Sequence, residues 1–243
     1  MTLREYWYRV KKHFKFSKSE VEQLVITSLV IGFVFSFQKW VVEYVLVVER
    51  GLAYWIFYTV LAFIAVLVYK SLQKIVSVLK ACKTVYKSNP KAQLFSVLIT
   101  IFSFGKIKYL SIGSLEFEPI PELKMTKRYK EVTSQDIARS IAIPAWLLII
   151  ITALLNPLYS LAKPFYELVR VLLFVVSYSL LPIPGEDGLL LFFSSRWLYI
   201  FTATGFITFT IIALKTQYGL VIPAIIAGAV FTYLFLKHVE SNI

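Results

Sequence analysis

Long apolar runs separated by short polar intervals make up most of this chain. Six runs, at about residues 21–37, 51–69, 137–155, 164–181, 189–214 and 218–236, approach or exceed the ~20 residues needed to cross a hydrocarbon layer about 30 Å thick. A further run, 92–104, is too short to span and predicts a re-entrant or interfacial segment extending to about residue 120. Within it, residues 107–110 and 115–118 have strand character on either side of Gly113. They predict a small membrane-associated β element after the second helix, whose backbone groups must be covered by protein. Thr133 with Asp136 reads as a capping pair before the third span, 121–136 as a polar loop, and Asn156-Pro157 as a break beyond that span. Residues 3–18 interleave Arg4, Trp7, Tyr8, Arg9, Lys12, Phe14 and Phe16, so residues 1–20 predict an interfacial helix with rings in lipid and lysines in water. The fold class is all-α membrane, with about six transmembrane helices in one polytopic domain over 21–238.

Composition agrees with that pattern. The chain is 58% hydrophobic and 16% charged, with mean hydropathy +0.71; a soluble domain is nearer about 25% charged. The net charge of +12 matters for orientation. Lys70, Lys74, Lys80, Lys83, Lys87 and Lys91 follow the second span with no acid among them, and read as a solvated or lipid-facing helix. With the basic N-terminal segment, this row belongs on the cytosolic side. Six spans then return the C-terminus to the cytosol, as in a multi-pass protein of the cell membrane. The basic charge is accounted for by anionic headgroups, so the expected partner is the lipid bilayer and not nucleic acid. Cys82 is the one cysteine, which excludes an intrachain disulfide and a cysteine-based zinc site.

The chemistry concentrates in Ser179-Leu180-Leu181-Pro182-Ile183-Pro184-Gly185-Glu186-Asp187-Gly188, between the fourth and fifth spans. Asp-Gly behind Pro-x-Pro is a turn signal at a helix boundary. Asp187 is one of two aspartates in the chain, and an acid at the mouth of a helical bundle is a candidate metal ligand. The charge pattern puts the end of the second span, Tyr69–Gln73, on the same membrane face. Arg196, about two turns into the fifth span, either snorkels to the cytosolic surface or pairs with Glu186 or Asp187.

From Leu180 to Gly188 the chain resembles the N-L-L-P-x-P-x-L-D-G motif of the site-2-protease family of intramembrane metalloproteases. Residues 133–136 followed by 140–144 are similar to the approach to that family's third helix, which carries an A-G-P. Residues 195–199 resemble the start of the fifth helix in archaeal members. With the six-span layout, the resemblance covers most of residues 20–240. It implies a site-2-protease-like core with Asp187 at a zinc-ligand position. It also implies H-E-x-x-H at the cytosolic end of the second span, two histidines as ligands and the glutamate as general base.

Here that stretch is Tyr69-Lys70-Ser71-Leu72-Gln73. Tyr69 and Gln73 stand at the histidine positions and Lys70 at the glutamate position. The two histidines present, His13 and His238, lie at opposite ends outside the bundle. A phenol and an amide hold zinc poorly, and a lysine cation repels the metal and cannot serve as a carboxylate base. Ser179 replaces the family's Asn, Ile143 the Gly of A-G-P, and Glu186 the Leu before Asp-Gly. The former cleft comprises Ser179, Pro182, Pro184, Glu186, Asp187, Gly188 and Arg196. The resemblance therefore implies a pseudoprotease without a cofactor that binds or regulates another membrane protein or a transmembrane peptide. Asp187 is then a turn residue, or it pairs with Lys70 where the family holds metal. The alternatives are an active zinc endopeptidase with atypical ligands, Asp187 and Glu186 among them, and a transporter, channel or structural membrane subunit.

Overall fold

A computed structural model of the chain describes residues 3–42, 45–46, 48–120, 132–155, 163–216 and 221–238. The polar loop over 121–131, the break at Asn156-Pro157 and the start of the sixth span lie outside them.

Helix α1 (Leu3–His13) buries Val10 and leaves Trp7 and Tyr8 exposed. α2 (Lys18–Ser36) opens on a capping box: Glu20 N–H donates to Ser17 Oγ at 3.2 Å, and Ser17 N–H donates to Glu20 Oε2 at 2.7 Å. These bonds satisfy two of the donors that a helix start leaves open. A 3₁₀ turn (Phe37–Lys39) and two short antiparallel strands, β1 (Val41–Val42) and β2 (Val45–Leu46), lead to α3 (Val48–Leu79). α3 is 32 residues long, about 48 Å at 1.5 Å per residue, and therefore longer than a hydrocarbon layer is thick. Its Ile56, Val60, Ile64 and Val68, four apart, are exposed, while Tyr58, Leu61, Ala62, Ala65, Val66 and Tyr69 are buried. A helix apolar on both its buried and its exposed face belongs in lipid.

Beyond α3 come β3 (Cys82–Lys87), α4 (Pro90–Phe102) and β4 (Ser114–Pro119). α5 (Ser134–Leu155) begins at the predicted cap: Asp136 N–H donates to Thr133 Oγ1 at 3.2 Å, and that hydroxyl donates to Asp136 Oδ2 at 2.7 Å. α6 (Lys163–Ser179), α7 (Asp187–Ser194), α8 (Arg196–Thr216) and α9 (Val221–His238) complete the chain. Five described helices, α2, α3, α5, α8 and α9, are long and apolar enough to cross a membrane. The chain is thus a multi-pass α-helical membrane protein. α9 leans mainly on α8 and exposes Ile222, Ile225, Ile226, Val230 and Phe231.

Four expectations change. The fourth predicted span, 164–181, is the 17-residue helix α6, about 25 Å long, with Glu167 and Arg170 in its first half. The fifth, 189–214, is broken at Ser195, whose extended backbone (φ −163°, ψ 101°) separates α7 from α8. The lysine row is not one solvated helix. Helix α3 ends at Leu79, Ala81 takes φ +56°, and residues 82–87 form β3. Cys82, Thr84 and Tyr86 alternate inward with outward Lys83 and Lys87, a period of two that suits a strand; Lys70 and Lys74 on α3 are buried. Finally, residues 115–118 do form a strand, but their partner is β3, with Tyr86 opposite Leu115. Residues 107–110 have no strand pairing. The 92–104 segment is the 13-residue helix α4, too short to span as expected.

α6 runs beside α3 in the same direction. Tyr58 Oη donates to Glu167 Oε2 at 3.3 Å in the first half of both helices, and Ser179 Oγ lies 3.5 Å from Tyr69 Oη at the end of α6. The loop after α6 is thereby delivered to the Lys70 level of α3.

Candidate functional site

Tyr69, Lys70, Gln73, Ser179, Glu186 and Asp187 meet in one buried cluster. Tyr69, Lys70 and Gln73 occupy one face of α3, a helical turn apart. Opposite them, the Leu180–Glu186 turn starts α7 at Asp187. Ile183 N–H donates to the Leu181 carbonyl at 2.8 Å, Glu186 N–H donates to the Ile183 carbonyl at 3.0 Å, and Gly185 takes φ +88°. Gly188 is required by closeness: a Cβ there would lie 2.3 Å from the Leu180 carbonyl. The small residue of Asp-Gly is what lets α7 fold back onto the end of α6.

Asp187 Oδ2 accepts three bonds: from Lys70 Nζ at 2.6 Å, Gln73 Nε2 at 2.9 Å and Ser179 Oγ at 3.0 Å. Its Oδ1 accepts from the Leu115 N–H of β4 at 3.1 Å. Lys70 Nζ also donates to the Gly113 carbonyl at 3.0 Å and lies 5.2 and 5.6 Å from the ring centroids of Tyr69 and Tyr86. Side chains of Lys70 and Asp187 are both 0% exposed. A buried ion pair persists only when further hydrogen bonds satisfy both partners, and this one has them.

Glu186 extends the cluster. Its Oε1 accepts from Ser111 Oγ at 2.9 Å, Ile112 N–H at 2.9 Å and Gly113 N–H at 3.3 Å. Burial pushes its carboxyl up to about 7, against the pull of Lys70 and of the Ser111 and Gly113 donors. Lys70 therefore faces two acids, Asp187 at 2.6 Å and Glu186, whose carboxyl burial raises. Tyr86 closes the far side. Its hydroxyl donates to the Ile112 carbonyl and lies 2.8 Å from Thr27 Oγ1, which accepts from Gln93 Nε2 at 2.7 Å. Burial raises the Tyr86 phenol, which keeps it protonated as a donor.

Other sequence-derived candidates lie outside the cluster. Pro182 and Pro184 are exposed on the turn, where the Pro184 carbonyl accepts from Asn89 Nδ2 at 3.3 Å. Arg196 is not two turns into a span. It opens α8, is exposed, and pairs with neither Glu186 nor Asp187, because the break at Ser195 turns it away from them. Ile143 is exposed on α5.

Sequence reasoning missed the chain segment 111–115, whose backbone groups carry no side-chain signal. It also missed a second buried pair: Lys74 Nζ donates to Glu20 Oε1 at 2.6 Å, and the same oxygen accepts from the Tyr86 N–H at 2.7 Å. Ser17-x-x-Glu20 has capping-box spacing, but that spacing carries no sign of Glu20's reach to α3.

Zinc is what the family resemblance implies for this position, and the residues do not fit it. Asp187 is engaged at both oxygens, an ammonium occupies its near side, and an amide and a phenol stand where imidazoles are needed. Among the described residues, no three His, Cys, Asp or Glu side chains come together. The arrangement joins α3, α6, α7 and β4 through buried, charge-compensated polar groups. In comparisons with family models, with curated proteins and with solved structures, nothing matches the chain.

Proposed function

We propose that this multi-pass membrane protein has a site-2-protease-like core in which the Lys70–Asp187 ion pair replaces the metal centre, and that it acts without catalysis by binding or regulating membrane protein segments. The observation that carries the reading is the convergence of Lys70 and Gln73 on Asp187, with Tyr69 joined to the same carboxylate through Ser179. The resemblance named these four positions from segments more than a hundred residues apart. Their gathering in one buried cluster is what an ancestral H-E-x-x-H…D-G site would leave behind. A Lys in the general-base position, committed to Asp187 and to the Gly113 carbonyl, supports loss of hydrolysis. Six crossings with cytosolic termini belong to the same reading.

Rebuilding the site tests it. The triple variant Tyr69→His, Lys70→Glu, Gln73→His restores two imidazoles one turn apart opposite Asp187. Purified in detergent, it is expected to bind one zinc per chain, with binding abolished by adding Asp187→Ala, while the unaltered protein binds none. Tightly bound zinc in the unaltered protein would favour the atypical protease instead. A well-folded triple variant that takes up no zinc would remove the family architecture.

A further inference from the structure

A second site lies away from the buried cluster, on the side where α5 and α8 begin. Gln135 and Arg139 from α5, with Ser194, Ser195 and Arg196 from the α7–α8 break, line an open cleft of about 390 Å³. An adjoining groove of about 300 Å³ continues along the same two helices and is lined by Ile143, Trp146, Leu147 and Ile150 of α5 and Leu198 and Phe201 of α8. Arg139 and Leu198 line both, so the two form one continuous surface.

The sequence of chemistries along it is ordered. Both helices start at the cationic cleft and therefore run in the same direction away from it. Ile150 lies eleven residues beyond Arg139, about 16 Å deeper at 1.5 Å per residue. Trp146 stacks on Phe201, ring centroids 4.9 Å apart, which gives the groove a stiff floor. Arg139 and Arg196 are exposed and have no carboxylate partner among the described residues. The nearest acid on α5, Asp136, is bonded to Thr133. Two guanidiniums with no carboxylate partner among the described residues, near helix starts and above an apolar channel along membrane-crossing helices, match a molecule with an anionic head and a hydrocarbon tail.

We infer that this surface binds one anionic phospholipid, its phosphate between Arg139 and Arg196 and one acyl chain along Ile143, Leu147 and Ile150. A free phosphate accounts for the arginines but leaves the apolar channel without a purpose. A transmembrane peptide accounts for the channel but gives the paired arginines nothing to meet.

Native mass spectrometry of the detergent-purified full chain, titrated with phosphatidylglycerol or phosphatidylcholine, decides it. The unaltered protein is expected to retain one phosphatidylglycerol with at least a tenfold preference over phosphatidylcholine. In Arg139→Gln/Arg196→Gln that preference is expected to fall below threefold, with the lipid-free thermal midpoint unchanged because both side chains are exposed. Equal retention of the two lipids, or an undiminished preference in the double variant, overturns the inference. Displacement of the phosphatidylglycerol by millimolar inorganic phosphate also overturns it, in favour of a simple anion site.

Discussion

A lysine with no solvent exposure keeps its charge only if every part of that charge is answered locally. Lys70 meets the requirement with one carboxylate, one carbonyl and two aromatic faces. Removing one partner leaves the other as a buried, uncompensated charge. Lys70→Met is therefore expected to cost about 3–5 kcal/mol, read as a lowered unfolding midpoint in detergent. Adding Asp187→Leu to Lys70→Met should recover much of the loss, and an equal loss in single and double variants would show that the pair does not carry the effect. Glu186 sets a different expectation. Its folded carboxyl is raised from 4.5 to about 7 by burial. Between those values the folded chain holds a proton that the unfolded chain has released, so raising the pH favours unfolding. The contribution of neutral Glu186 is fully present below about 4.5 and is lost as pH rises through about 7. Thermal midpoints of the unaltered protein should fall more between pH 5 and pH 8 than those of Glu186→Gln, and parallel profiles would remove Glu186 as the cause.

At the scale of elements, legibility followed period and length. Spans one, two, three and six were readable because runs of apolar residues bounded by charge have few interpretations, and the Thr133–Asp136 cap was readable because its chemistry is local. The lysine row misled because Lys70, Lys74 and the strand lysines share a charge but not an environment. The row itself shows no partner across the fold: nothing in the sequence points Lys74 to Glu20, and only the family resemblance suggests that Lys70 meets Asp187. The short period of Cys82–Lys87 was hidden between two helices. Its pairing with Ser114–Pro119 depends on Gly113 at φ +85°, where a Cβ would lie 2.4 Å from the Lys87 carbonyl. The site was more legible than the fold around it. The family resemblance points to Tyr69, Lys70, Gln73, Ser179 and Asp187, while the backbone donors of 112–115 that complete the cluster carry no sequence signal, since any residue type supplies an N–H.

For the whole molecule the open quantity is the number of crossings, because five and six place the termini on opposite or on the same side. α6 is the helix in question, a few ångströms short of a hydrocarbon layer about 30 Å thick. Its contacts argue that it crosses. Glu167 meets Tyr58 and Ser179 meets Tyr69, so twelve residues of α6 rise in step with eleven of α3, a helix that does span. The shared cleft at the starts of α5 and α8 makes those two parallel as well. Helices α3 and α6 then run one way and α5 and α8 the other, the alternation that successive crossings require. Six crossings put both ends on the same side of the membrane, which the proposed reading takes to be the cytosol. In a Cys82→Ser background, Lys11→Cys and His238→Cys should both react with a membrane-impermeant maleimide in inside-out vesicles and neither in right-side-out ones. Labelling of the two positions from opposite sides would mean that α6 packs beside α3 without passing through, and that its short length, not its register with α3, decides its place in the membrane.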